Sequence, residues 1–240
     1  MDRIISKMGH YKRKYGCDHR GVFATTYQEL SKELRRSLRH DQARWQYRRY
    51  LYTEAAEFAN YYFRTLRRWE RGAPVPPAWQ VVLETARDKS VLGAQDMLLG
   101  INAHVQSDMP FVIASLGLRD RKGRSRKADH DYMNQVLNDS YERVVSAVGT
   151  RFDPSLSLTN SDLTPLDDLG GLEMVRVWRE GVWRNAERLV NATSDAERES
   201  VGNSILAYAA GWANGIATLE TPGYRTRRDS YCAERLGGRS

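Results

Sequence analysis

The sequence predicts an all-α protein, a single-domain helical bundle of about seven helices around a buried central helix. Apolar residues recur at spacings of three and four in seven separate segments, which is the period of helices that each bury one face. No stretch of useful length shows the apolar–polar alternation of a strand. At 240 residues, 41% of them hydrophobic, the chain can bury one large core.

Four helices are predicted in the first half of the chain. The first follows Asp18, a short acidic side chain that can accept the free amide hydrogens of a first turn. The second is long and amphipathic and ends at Gly72, where a proline-rich segment begins. The third is short. The fourth is apolar nearly all the way round, so other helices should surround it, and Pro110 should bend it. Their predicted ranges are 22–40, 43–71, 79–89 and 91–116.

Three more helices are predicted in the second half. The fifth stops at Gly149, and the seventh is rich in alanine and glycine, which let helices approach closely. Residues 151–171 show no period, so we interpret them as an irregular connection that is either a wall of a site or a simple linker. The three predicted helices cover residues 128–148, 172–191 and 195–219.

The predicted helical domain covers residues 18–220, between an N-terminal arm at 1–17 and a C-terminal tail at 221–240. The arm shows no apolar core of a secretory signal, and no apolar run approaches the ~20 residues that cross a bilayer. We therefore expect a cytoplasmic protein without membrane insertion.

Charge and cysteine content argue against several classes of protein. The net charge is +7, but the densest basic loop, residues 119–127, has no aromatic side chain to stack on a base. We therefore expect no nucleic-acid partner. Cys17 and Cys232 lie near opposite ends of the chain, and neither has a partner at metal-ligand spacing. Neither a disulfide framework nor a structural zinc site is expected.

The main candidate site lies in the predicted central helix, where an apolar segment carries His104 and Asp108. Residues four apart share a helix face, so the imidazole and the carboxylate can meet. Such a carboxylate can hold one tautomer of the histidine and stabilise its protonated form, which makes the histidine a general acid or base. The alternative is a core pair in which the two groups only satisfy each other.

Further polar residues lie on the same helix and on predicted neighbours. Asn102 accompanies His104, and the fifth helix carries a polar ribbon that can face it. The second helix has a polar flank that either faces solvent or lines the interior. We predict His104, Asp108 and Asp131 as catalytic residues, and Asn102, Asn134, Glu57, Asn60 and Tyr61 as substrate-binding residues.

Other reaction chemistries have weaker support. The spacing of His104 and Asp108 also presents a nitrogen and an oxygen to one metal ion, as in helical phospholipase C and P1-type nucleases. Those enzymes bind several zinc ions with many histidines, whereas this chain has five, so a single ion is the metal alternative. The sequence contains no Gly-x-Ser-x-Gly elbow and no glycine-rich phosphate loop. No cofactor is therefore expected.

Residues 98–110, Leu-Leu-Gly-Ile-Asn-Ala-His-Val-Gln-Ser-Asp-Met-Pro, resemble the pattern of a bacterial domain-of-unknown-function family, number 5995, common in actinomycetes. Residues 131–137, 18–24 and 57–62 are similar to other parts of that pattern. The resemblance implies a single all-helical domain and an association with specialised-metabolite pathways. Its recurring polar residues correspond here to Asn102, His104, Asp108, Asp131 and Asn134.

The leading hypothesis is a cofactor-independent enzyme that acts on a hydrophobic small molecule in bacterial specialised metabolism. His104 acts as acid or base and Asp108 orients it, in a hydrolysis, cyclisation, isomerisation or elimination. The alternatives are a hydrolase assisted by a single metal ion and a non-catalytic protein that binds an apolar ligand. A homodimer is left open.

Overall fold

The computed structural model describes residues 1–154, 156, 168–218 and 230–235, which contain helices and no β-strand. The predicted all-α bundle is confirmed. A six-residue segment with wider, π-helical turns, Ala103–Asp108, joins α5 to α6. The helices are α1 (Asp2–Tyr15), α2 (Arg20–His40), α3 (Arg48–Glu70), α4 (Pro77–Asp88), α5 (Gly93–Asn102), α6 (Met109–Leu116), α7 (Lys127–Arg151), α8 (Asp168–Asn191) and α9 (Asp195–Ala217).

The predicted central helix consists of α5, the π-helical segment and α6, and it packs against α2, α4, α8 and α9. Its hydrogen-bond pattern changes just before Pro110, where the Met109 N–H donates to the carbonyl of His104, five residues earlier. Pro110 then lies in the first turn of α6, the part of a helix that tolerates a missing N–H. The wide turn therefore places His104 and Asp108 inside the bundle at an interruption of the regular helix.

The chain begins with a packed helix rather than the expected arm over residues 1–17. In α1, Ile4, Met8, Tyr11 and Tyr15 are buried, and Tyr11 stacks on Phe63 with ring centroids 5.9 Å apart. These four residues follow a helical period of four, three and four, which the lysines and arginines between them obscure. The helical domain therefore includes α1.

The two cysteines form a disulfide bond, contrary to the expectation from the sequence. Cys17 and Cys232 are separated by 215 residues, yet their Cα atoms are 5.7 Å apart. Residues 230–235 are helical, and Cys232 is buried in a cluster with Val148 and Phe152. The packing of the helices brings the two cysteines together, because the C-terminal ends of α1 and α7 meet at this point. Sequence separation alone does not reveal such a pairing.

Part of the expected loop and tail lies outside the described residues. This applies to residues 155 and 157–167 of the connection before α8, and to residues 221–229 and 236–240 of the tail. None of the helices that the structure describes combines the length and apolarity needed to cross a bilayer.

Helices α2 and α5 approach closely at Gly100. A Cβ atom at this position would lie 2.3 Å from a ring carbon of Phe23, a distance that no real side chain tolerates. Glycine therefore allows the Phe23 ring to lie directly against α5 and to reach the interior of the bundle.

Candidate functional site

The imidazole of His104 lies inside a box of aromatic rings. Phe58 from α3 stacks face to face on it, with centroids 3.5 Å apart and planes inclined by 6°. Tyr27 from α2 meets it edge-on at 4.8 Å. Phe23, Tyr62 and Trp79 complete the box at 5.6, 6.1 and 5.9 Å. These contacts fix the plane of the imidazole ring.

Asp108 holds one nitrogen of this ring. His104 Nδ1 and the indole N–H of Trp79 both lie 2.9 Å from Asp108 Oδ2. We assign the imidazole proton to Nδ1, since a carboxylate oxygen readily accepts two N–H donors. His104 Nε2 is then the basic nitrogen. It is buried and has no hydrogen-bond partner among the described residues.

The protonation of His104 follows from its surroundings. Burial lowers the pKa of His104, and the hydrogen bond and charge of Asp108 oppose this effect. The imidazole is therefore neutral at neutral pH, with a free lone pair at Nε2. A buried lone pair without a partner is unfavourable unless a ligand or water uses it.

His104 lines a cavity of about 140 Å³. Helices α1, α2, α3, α5, α7 and α8 contribute to the wall, which consists mostly of apolar side chains such as Leu30, Ile101, Val105 and Leu137. An engineered apolar cavity of about 150 Å³ in another protein binds benzene. The cavity is therefore large enough for a small apolar molecule that touches the imidazole.

Besides His104 and two tyrosines, four titratable side chains interrupt this apolar wall: Glu54, Asp129, His130 and Arg179. Asp129 accepts the backbone N–H groups of Gln46 and Tyr47 at 2.8 and 2.7 Å, so it caps the start of α3. Glu54 lies beside the hydroxyl of Tyr50, and burial raises its pKa. Burial lowers the pKa of Arg179 to about 10.

The sequence model of a family described as a family of unknown function (DUF5995) matches residues 1–219. The chain belongs to this family. The predicted family is thus confirmed, and the match also includes α1. No curated protein and no solved structure matches the chain.

Among the predicted site residues, the fold of this family member brings His104 and Asp108 together. Asn102 lies on the same helix but has a different role. Its side-chain N–H donates to the carbonyl of Ala209 at 2.9 Å, and its oxygen accepts from Gln106 at 2.6 Å. Asn102 therefore attaches the central helix to α9 and is not among the residues that line the cavity.

Asp131 and Asn134 do not face His104, contrary to the expectation. Asp131 is half exposed and pairs with Lys127 at 2.5 Å. Asn134 accepts a hydrogen bond from Arg179 at 2.8 Å, so it contacts a cavity residue without lining the cavity itself. The cavity face of α7 carries His130, Met133 and Leu137. Asp131 is one position from that face, which is about 100° around a helix.

The predicted flank of α3 is also directed differently. Asn60 is exposed, Glu57 is half-buried, and Tyr61 lies under the guanidinium of Arg64 at 4.5 Å. None of the three predicted residues lines the cavity, whereas Glu54, Ala55 and Phe58 do. Of the charged residues on this side of α3, Glu54 therefore reaches the cavity and Glu57 does not.

Several site residues were not predicted. Phe58 and Trp79 come from other helices, and only the packing of the helices brings them to His104. Arg179 had a readable signal, because it lies between Val175 and Val182 on the apolar stripe of α8, where a charge is out of place. Glu54 had a similar signal, since it precedes Phe58 by four residues.

Metal-ligating side chains are not gathered at this site. Within the described ranges, no group of three or more His, Cys, Asp or Glu side chains could hold a metal ion. In particular, no third ligand accompanies His104 and Asp108 there.

Proposed function

We propose that this protein is an enzyme that transfers protons to and from a small apolar substrate, with His104 as the acid–base group. One observation carries the proposal. A buried imidazole lines an apolar cavity, with Nδ1 held by Asp108 and Nε2 left without a partner among the described residues. A core pair that served only packing would be expected to satisfy both nitrogens.

The chemistry follows from this arrangement. Nε2 of His104 takes a proton from a bound substrate, and Asp108 stabilises the imidazolium that forms, as in other carboxylate–histidine pairs. The imidazolium then returns the proton to another atom of the substrate or to a leaving group. Isomerisation, elimination and cyclisation fit this cycle. In a hydrolysis Nε2 takes the proton from a water molecule that attacks the substrate, and the imidazolium gives it to the leaving group. The association of similar proteins with specialised metabolism favours a tailoring step, by analogy only.

A second candidate is a protein that binds a small apolar ligand without turnover. The mostly apolar wall favours this alternative, because apolar cavities of this size bind apolar molecules unaided. A hydrolase assisted by one metal ion would need a further ligand beside His104 and Asp108. The described residues do not supply one.

The expected cytoplasmic location and the open homodimer stay predictions. The bond between Cys17 and Cys232 counts against the cytoplasm, because disulfides persist mainly in oxidising compartments.

The test compares wild type with His104→Gln on a panel of small compounds. The panel contains an aryl ester, a β-hydroxy ketone and an unsaturated lactone, and mass spectrometry follows their conversion. We expect His104→Gln to lower turnover by about a hundredfold or more, the usual contribution of a general acid–base group. His10→Gln is the matched control, because His10 is exposed on α1.

Turnover that survives His104→Gln unchanged would exclude the acid–base role. Saturable binding of the panel compounds without conversion by the wild type would instead support the ligand-binding candidate.

A further inference from the structure

We propose that the cavity takes a small apolar carboxylate, with the guanidinium of Arg179 on its carboxylate group and its apolar body against Phe58 and His104. This inference names a substrate class for the proposed enzyme. The reaction of the acid rests on the proposed function, whereas its binding does not.

Arg179 is a buried cation without an ionic partner in the described part of the chain. Its side chain is 3% exposed, and no carboxylate lies within ion-pair distance of it there. Its contacts are neutral acceptors: the Asn134 side-chain oxygen at 2.8 Å, the His130 carbonyl, and the Met109 sulfur at 3.5 Å. A guanidinium has five N–H donors, so some remain for a ligand.

A carboxylate is the ligand group that suits this guanidinium. Taking a cation out of water is unfavourable unless an opposite charge meets it, and the planar fork of arginine matches the two oxygens of a carboxylate. Glu54 is near enough for its charge to act on Arg179, but it forms no ion pair. Burial raises the pKa of Glu54, which makes a neutral Glu54 beside a bound anion more favourable.

Arg179 and His104 line the same cavity, and two chains of neighbouring residues connect them. Arg179 contacts Met109, whose N–H donates to the carbonyl of His104, so Met109 is one wide helical turn away. Glu54, which acts on Arg179, is one turn before Phe58, which stacks on His104. A helical turn rises about 5.4 Å, which is close to the length of a six-membered ring. One small molecule can therefore reach both groups.

The cavity also limits the size of the acid. Its volume of about 140 Å³ corresponds to a benzene-sized body. An aryl or short-chain carboxylate matches this volume.

The test measures binding by isothermal titration calorimetry with benzoate, butyrate, benzamide and benzylamine. We expect wild type to bind benzoate more tightly than benzamide or benzylamine. Arg179→Met should weaken benzoate binding about tenfold to a hundredfold, the usual loss for a charged hydrogen bond, and leave benzamide binding within about twofold. Arg176→Met is the matched control, because Arg176 is exposed one turn earlier on α8.

Arg179→Lys keeps the charge but not the fork, so it should weaken benzoate binding by less than Arg179→Met. This variant keeps the test informative if Arg179→Met does not fold, which circular dichroism would show. The Glu54→Gln variant mimics a neutral acid and should tighten benzoate binding.

Three results would overturn the inference: no saturable binding of benzoate or butyrate, unchanged benzoate affinity in the folded Arg179 variants, or a preference for benzylamine that Glu54→Gln removes. His104→Gln separates this inference from the proposed function. That variant should still bind benzoate more tightly than benzamide, because Arg179 supplies the charge. If His104→Gln also keeps turnover, the acid–base function fails while the carboxylate site stands.

Discussion

The bundle contains two buried histidine–aspartate pairs with different surroundings. His104 and Asp108 lie four residues apart on one helix, whereas His19 at the start of α2 joins Asp96 in the first turn of α5. Both pairs are at most 3% exposed and use Nδ1 of the histidine. His104 lines a cavity of about 140 Å³, but the space beside His19 is only about 10 Å³, near the lower limit for one water.

The two pairs consist of the same residue types, and they differ in the space beside the histidine. Room for a ligand therefore separates a candidate site from a structural contact. Phe23, Tyr62 and Trp79 contact His104 and also border the small space beside His19. These three rings therefore lie between the two pairs. We interpret His19–Asp96 as a clamp that holds α2 to α5, which keeps Phe23 in the aromatic box.

Loss of the clamp should have the largest effect on stability. His19→Ala leaves the Asp96 carboxylate buried without its imidazole, and removing one partner of a buried pair costs about 3–5 kcal/mol. Urea unfolding followed by circular dichroism measures this loss, with the exposed His10→Ala as control. A free energy of unfolding within about 1 kcal/mol of wild type would contradict the role of the clamp.

Loss of the disulfide should lower the stability by a smaller amount. Cys17 is two residues from His19, so this change lies close to the same pair. Cys17→Ser should lower the free energy of unfolding by about 2–4 kcal/mol, since the bond restricts the unfolded chain. Cys232→Ser and the double variant should lose the same amount, and benzoate affinity should not change. If wild type unfolds at the same urea concentration with and without a reductant, the two cysteines are not bonded.

The smallest expected effect is the change of the free energy of unfolding with pH. Burial lowers the pKa of His104 and, more strongly, that of His130 below the ordinary value of 6.5. The unfolded chain then binds more protons than the folded chain as the pH falls below about 6.5, so the free energy of unfolding falls with it. Each histidine contributes at most about 1.4 kcal/mol per pH unit.

The change of the free energy of unfolding per pH unit, the slope, can be assigned to the two histidines separately. His104→Gln and His130→Gln should each reduce this slope between about pH 6.5 and pH 5, above the range in which exposed carboxylates titrate. The exposed His10→Gln should leave it unchanged. A His104 ring that titrates at or above 6.5 in an NMR experiment would show that Asp108 outweighs burial.

Local patterns predicted most of this fold. The periods of α2, α3 and α7 are visible because each helix buries one face, and His104 and Asp108 meet within one helix. Phe58 and Trp79 could not be predicted, because their approach depends on how three helices pack. Asp131 was misplaced because one residue turns a helix by about 100°.

The charged residues that line the cavity show a different limit of prediction from the sequence. The chain has 37 lysines and arginines, and Arg179 was not predicted as a site residue. Its position on an apolar stripe separates it from the others, but stripe position alone does not show that a cavity adjoins it. The cavity itself is a property of the packed helices.

The disulfide also has a mechanical consequence. The bond joins residues 17 and 232, so a force applied to residue 1 and residue 235 would run through the two sulfur atoms. Helices α2 to α9 lie inside the closed loop and would carry little of that load. Only α1, outside the loop, would peel away and expose the rings of Tyr11 and Tyr15. Single-molecule pulling should therefore extend the oxidised protein far less than the reduced one.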